Sequence, residues 1–382
     1  MEPRKFVVTE FVSGEGALNL AGQYAGNLGA NKVFLVTDPG IINSGWTKKV
    51  QMSLETAGIH YVIFSDISPN PRDTEVMAGA EKYLHEECDI IVVVGGGSPI
   101  DCAKGIGIVA NNNEHILSFE GVDQVSIPIP PLICIPTTAG SSADISQFAI
   151  ITDTLRRVKI AIISKAIVPD VALIDPVTTT TMPPEITAYS GFDAFVHAIE
   201  AFVSNANSMI TDLMALEAIR IIRKNLRNAI EYPSDMKYRN SMSSGSLLAG
   251  IAFSNASLGL VHAMAHSLGG YYDLIHGLCN GIMMDSVFEF NFQSASAQYL
   301  RVAEALGIDL TGLTLDQKKE KILDDFISFK KNIGIIQSLS EVGVKKDDIP
   351  ILARHVVNDP CLVTNPRVPS LQDIVNIYER AL

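Results

Sequence analysis

Between residues 17 and 180 the chain alternates short, almost wholly apolar runs with longer segments whose apolar residues recur every three to four positions. The runs Lys32–Val36, Tyr61–Phe64, Ile90–Val94, Leu132–Ile135 and Val171–Ile174 are short and rich in β-branched residues, which predicts strands buried on both faces. The intervening Ala17–Leu28, Gly45–Ala57 and Thr74–Glu86 have helical length and one apolar face, and turns of only a few residues join them to the strands. That order predicts an α/β unit with a mostly parallel sheet covered by helices. After Asp175-Pro176 the strand signals stop. Pro183-Pro184-Glu185 opens a succession of helical patterns, among them Met209–Leu226, Lys237–Phe253, Ala295–Leu306, Leu315–Lys331 and Leu371–Ala381. The change predicts two domains, 1–180 α/β and 181–382 all-helical, without an internal repeat or a long linker.

Composition narrows the function classes. In 382 residues, 47% hydrophobic and 19% charged content describes a well-packed soluble protein. A net charge of -13 with no Lys/Arg cluster disfavours nucleic acid and anionic membrane surfaces as partners. Met1–Phe6 lacks a signal-peptide core and no window approaches a membrane span, so a cytoplasmic protein is expected. The five cysteines are odd in number and scattered, which suggests reduced, buried thiols.

Chemistry first enters at Asp89 to Lys104, where a buried strand runs into Gly95-Gly96-Gly97 and then a helix. Glycines let a backbone approach a ligand closely, and a helix start offers N–H groups and a positive dipole end to an anion such as a pyrophosphate. Ser98 is expected as the N-cap, Pro99 as the first helical residue and Asp101 in the capping box; a well-capped turn without ligand is the alternative. Asp38, at the carboxyl end of the first of these strands, suits a ribose acceptor that would favour NAD over NADP, but Asp38-Pro39-Gly40 is equally good turn chemistry. Thr137 and Thr138 open a second polar loop, 136–144, fit for phosphate or ribose oxygens or for a plain Ser/Thr turn. Lys159 alternates with apolar neighbours, either as an inward cation or on the solvated side of a strand.

The second half carries Asp193 and His197 one helical turn apart in an otherwise apolar segment. His262 and His266 repeat the spacing, Gly269-Gly270 is expected to end their helix, and His276 follows. Buried groups of this kind need a partner, and four of the five could close around one divalent metal. Nitrogen and oxygen donors without sulfur fit Fe2+, Zn2+, Mn2+ or Co2+.

The glycine loop, Pro136–Gly140, Asp193-x-x-x-His197 and His262 to His276 together resemble the iron-containing (group III) alcohol dehydrogenase family, a similarity that extends through Ile174-Asp175-Pro176 and Thr364–Arg367. The resemblance implies Asp193, His197, His262 and His276 as metal ligands, with Fe2+ the first choice and Zn2+ the second. It makes His266 a non-ligand near the nicotinamide, a candidate proton carrier, and implies NAD(H) contacts from Asp38, Gly95, Gly96, Gly97, Ser98, Thr137, Thr138 and Lys159. Phe148, Phe253 and Leu258 match substrate-pocket positions, and their apolar character points to a small alcohol or aldehyde. The expected activity is hydride transfer between a small primary alcohol, or its aldehyde, and the nicotinamide, by a homo-oligomer of two or more chains. The rival readings are a metal-dependent lyase like the related dehydroquinate synthases and a non-catalytic dinucleotide-sensing regulator.

Overall fold

Each apolar run of the first half is a strand in the computed structural model, which describes residues 5–382. The strands are β1 (Glu10–Ser13), β2 (Lys32–Val36), β3 (His60–Phe64), β4 (Ile90–Gly95), β5 (Gly121–Val122), β6 (Leu132–Pro136), β7 (Phe148–Asp153), β8 (Val158–Ile163) and β9 (Val171–Ile174). Six of them form one sheet in the order β1-β9-β6-β4-β2-β3, parallel at every pairing. The helices of this part are α1 (Ala21–Asn27), α2 (Pro39–Asn43), α3 (Trp46–Thr56), α4 (Asp73–His85) and α5 (Gly97–Asn112). Alternate strand residues serve opposite faces. Phe34, Val36, Ile91, Val93 and Cys134 pack with Val76, Ala80 and Ile106 of α4 and α5. Val33, Leu35, Ile90, Val92 and Ile133 pack with Ala25, Trp46, Val50 and Leu54 of α1 and α3. Burial on both faces is why the strands read as continuous apolar runs.

β3 and β4 lie on opposite sides of β2, so the chain reverses its direction across the sheet between β2 and β4. Ligands of open α/β sheets bind beyond the carboxyl ends of strands at such a reversal. Asp38 follows β2 and Gly96 follows β4 at that edge. A second sheet, β5-β8-β7, contains the antiparallel β7–β8 pair, in which Lys159 sits opposite Thr152.

The chain separates into two compact units, Met1–Met182 and Pro183–Leu382. The second is helical: α6 (Pro184–Val203), α7 (Met209–Glu231), α8 (Met236–Ala256), α9 (Leu260–Tyr272), α10 (His276–Asn291), α11 (Ser296–Ala305), α12 (Leu315–Asn332), α13 (Ile349–Val357) and α14 (Leu371–Ala381). Ser208, Thr314 and Ser370 begin α7, α12 and α14 with capping boxes. Helix α6 is apolar nearly all round and is correspondingly enclosed by its neighbours. Close approach to it depends on missing side chains: a Cβ on Gly277 would lie 2.2 Å from the Tyr189 carbonyl oxygen, so α10 can cross α6 only with glycine there.

Two local expectations fail. The first residue of α5 is Gly97 and its N-cap is Gly96, so Ser98 and Pro99 lie inside the first turn and Asp101 is not part of a capping box. Ser98 Oγ instead accepts the Asn70 N–H at 3.2 Å. Helix α9 runs straight through Gly269 and Gly270 and stops at Asp273, which takes the left-handed conformation (φ 57°, ψ 32°). Glycine weakens a helix by about 1 kcal/mol but does not forbid it, and burial of this apolar helix outweighs that preference.

Candidate metal and dinucleotide sites

Helix α6 presents Asp193, His197 and Glu200 at spacings of four and three residues, which places all three on one face. Helix α9 brings His262 to that face, and His276 is the first residue of α10. Asp193 Oδ1 is the hub, with the Nε2 atoms of His262, His276 and His197 at 3.4, 3.6 and 3.7 Å. One donor atom from each of the four residues lies within 4.8 Å of every other. Four donors arranged tetrahedrally about 2.0–2.2 Å from a divalent ion stand roughly 3.3–3.6 Å apart, so these separations fit a bound ion. Asp193, His197 and His262 are buried, and His276 is partly exposed.

The electrostatics keep Asp193 ionised. Burial alone would push the Asp193 carboxyl up, but His197, His276 and His262 together hold it well below the usual carboxylate range. For His262, burial works against the charged ring, yet its bonds to Asp193 and Glu200 prevail and push it up to about 9. Asn280, one turn after His276, donates from Nδ2 to Asp193 Oδ1 at 2.6 Å, and the same nitrogen stands 3.2 Å from His262 Nε2 and 3.3 Å from His276 Nε2. Phe253 of α8 stacks on the His197 ring with centroids 4.3 Å apart, an apolar wall beside the cluster. Leu258 is buried in the turn between α8 and α9.

His266 stands apart from this ligand set. Its ring stacks on His276 at 5.3 Å, and its Nδ1 is 2.8 Å from Asp359 Oδ2. Burial raises the Asp359 carboxyl, but the neighbouring His266 brings it below its ordinary value. With Asp359 as acceptor, the His266 proton belongs on Nδ1 and Nε2 is left with a lone pair. Cys361 completes a second buried group with these two residues. Burial pushes its thiol well up, which keeps it protonated and a poor metal ligand.

In the α/β unit the loops leaving β4 and β6 meet. Thr137 N–H donates to Gly95 O at 2.9 Å. A Cβ on Gly96 would come 3.1 Å from Thr138 Cγ2, and one on Gly97 would come 3.0 Å from the Ser141 side chain. The loop leaving β6 therefore packs this closely on the start of α5 because both positions lack side chains. Thr137 Oγ1 is buried beside this loop and, among the described residues, has no hydrogen-bond partner, an orphan that a phosphate or ribose oxygen would satisfy. Lys159 is buried, not on a solvated strand face; burial raises the carboxyl of Asp101 in α5 to about 7, against the opposing charge of Lys104 and, more weakly, of Lys159. Asp38 caps α2 by accepting the Ile41 N–H at 3.0 Å, so the turn chemistry read from its sequence is real, and the residue lies just beyond the carboxyl end of β2. Phe148, in β7, belongs to this unit, apart from Phe253 and Leu258 in the other.

Residues 8–176 match the family profile described as iron-containing alcohol dehydrogenase, and residues 187–382 match that of the Fe-containing alcohol dehydrogenase family, C-terminal. The chain belongs to the iron-containing alcohol dehydrogenase family. It is 39% identical to a 1,3-propanediol dehydrogenase of Klebsiella pneumoniae over 96% of both chains, and 37% identical to an NAD-dependent methanol dehydrogenase of Bacillus methanolicus over 99% of both. The solved structure of an alcohol dehydrogenase from Oenococcus oeni superposes with a TM-score of 0.96 at 33% identity, covering 100% of each chain. Membership makes the protein an oxidoreductase of alcohols and disfavours the lyase and regulator readings.

Within this alcohol dehydrogenase, three residues escaped the reading of the sequence: Glu200, Asn280 and Asp359. Glu200 carried a usable signal, since it continues the Asp193, His197 face at i+7 inside an apolar helix where a lone carboxylate needs a partner. Asn280 lies at i+4 from His276 and was discoverable the same way. Asp359 had none, because its partner His266 is 93 positions away.

Proposed function

We propose that the protein transfers a hydride between a small primary alcohol, or its aldehyde, and NAD(H), with a divalent metal, Fe2+ first and Zn2+ second, held by Asp193, His197, His262 and His276. The observation that carries this reading is the convergence of three imidazole Nε2 atoms on one carboxylate oxygen at 3.4–3.7 Å. A divalent ion bound there supplies Lewis acidity that lowers the pKa of an alcohol hydroxyl and polarises an aldehyde carbonyl.

The chain's own groups do the rest. Asp193 brings the single formal negative charge of the ligand set, so the loaded centre keeps net positive charge for an anionic oxygen. Phe253 covers one side of His197 and excludes water, which keeps that electrostatic effect strong. His266, held at Nδ1 by Asp359, offers Nε2 to receive the hydroxyl proton and pass it outward. In the α/β unit Gly95, Gly96, Gly97 and Ser98 form the pyrophosphate loop with Thr137 and Thr138 against it, Lys159 supplies positive charge, and Asp38 accepts from a ribose and repels a 2′-phosphate. The substrate preference rests on apolar Phe148, Phe253 and Leu258 and on relatives named for methanol and 1,3-propanediol. We place the enzyme in the cytoplasm as a homo-oligomer of two or more chains; among the described residues no single helix is long and apolar enough to cross a membrane.

The test is to purify the protein anaerobically, quantify bound metal, and follow NADH absorbance with a panel of short alcohols and aldehydes. Turnover that depends on metal is the expected result. Absence of turnover in both directions with metal bound contradicts the proposal.

A further inference from the structure

Glu200 is 4% exposed and, among the described residues, no lysine or arginine pairs with it. A buried carboxylate in that position is costly unless hydrogen bonds replace its water. The replacement is specific. Oε2 accepts the Gly259 N–H at 2.9 Å and Oε1 the Val261 N–H at 2.7 Å, so the carboxylate lies across the buried start of α9, where N–H groups lack intrahelical partners and negative charge is favoured. Oε2 also lies 2.7 Å from His262 Nδ1. Only a donor can face a carboxylate already fixed by N–H groups, so His262 keeps a proton on Nδ1, and Nε2, the nitrogen that faces Asp193, is the one left for a metal to take. One side chain thus sets both where α9 begins and which nitrogen of its third residue is left for a metal.

We infer that Glu200 is the positioning residue of the metal centre: its bond to Nδ1 fixes His262 as an Nε2 ligand, and its grip on the start of α9 holds that ring in register with Asp193 and His197, seven and three residues earlier on α6. This rests on the metal reading above and goes beyond it by assigning the source of the site's affinity. Outer carboxylates of this kind typically contribute about 10- to 100-fold in metal affinity.

A neighbouring residue separates positioning from mere capping. Asn365 Oδ1 accepts the Leu260 N–H at 3.1 Å, so it caps the same turn of α9, and its bonding partners do not include His262. The experiment measures Zn2+ and Co2+ affinity by chelator competition in the full-length protein, its Glu200→Gln variant and its Asn365→Ala variant, with circular dichroism and Tm alongside. Glu200→Gln should weaken metal binding about 10- to 100-fold and alter the visible spectrum of the Co2+ form. Asn365→Ala should lower Tm while holding affinity within about threefold. Equal affinity in Glu200→Gln and the parent, or equal losses in the two variants, overturns the inference. A parent protein that binds neither metal overturns the metal reading instead. If Glu200→Gln does not fold, long-range proton–nitrogen NMR of the histidine-labelled, Zn2+-loaded parent decides: a protonated Nδ1 and metal-bound Nε2 on His262 is expected, and ligation through Nδ1 refutes the role of Glu200.

Discussion

Asp193 Oδ1 receives an Asn280 N–H at 2.6 Å and faces three imidazole nitrogens, so its neighbourhood has the charge pattern of a cation site. His266 lies one turn beyond His262 but bonds to Asp359, which predicts separable phenotypes. His266→Ala should retain metal and lose about 10²- to 10⁴-fold in kcat, checked by metal analysis and steady-state kinetics on the same preparation. Asp38 predicts a second separation. Asp38→Gly should raise kcat/KM with NADP relative to NAD by removing the charge that repels a 2′-phosphate, with only about a few tenths of a kcal/mol lost from its cap on α2. An unchanged cofactor ratio would remove Asp38 from the ribose site. At this scale the sequence was informative where titratable residues interrupt apolar helices, as at Asp193, His197 and His262. It was silent where function depends on a tautomer, because the Glu200 and Asp359 contacts that decide the imidazole protons are made only on folding.

The elements show which local rules held. Strands buried on both faces were legible because each must be apolar throughout, and β2, β4, β6 and β9 fall where the apolar runs lie. The β7–β8 pair was missed as a unit: its Asp153-to-Val158 turn offers no tight-hairpin dipeptide, and only the alternation around Lys159 hinted at a strand. Gly269-Gly270 misled because a stop signal was read without the burial that overrides it. Gly277 is the informative glycine, since it admits the α6 backbone where His276 enters the cluster. Gly277→Ala should force α10 away from Tyr189, lowering stability by about 1–3 kcal/mol or more and weakening metal binding together. Denaturant unfolding of the metal-free protein and chelator competition test this, and a variant with normal metal affinity would show that His276 is not held through this helix crossing.

For the whole molecule, a ligand that binds only folded protein stabilises it by about 2.7 kcal/mol at a concentration 100 times its Kd. The four donors lie in unit Pro183–Leu382 and the loops proposed for the dinucleotide in unit Met1–Met182, so the two ligands should protect different stretches. Hydrogen exchange should slow around 193–200, 259–266 and 276–280 when metal is added, and around 95–104 and 136–147 when NAD is added. Metal-dependent protection confined to the α/β unit would contradict the assignment. The two-part plan was readable because strands and helices segregate along the chain, and the glycines and threonines that cluster after β4 and β6 marked the loops proposed for the dinucleotide.

The central claim is that Asp193, His197, His262 and His276 hold one divalent ion. Its most direct test is the metal content, after dialysis, of the parent protein and its His262→Ala and His266→Ala variants. The account predicts about one ion per chain in the parent and in His266→Ala and a near-empty His262→Ala, as a tetrahedral set missing one of four donors requires. Equal metal in both variants would contradict it.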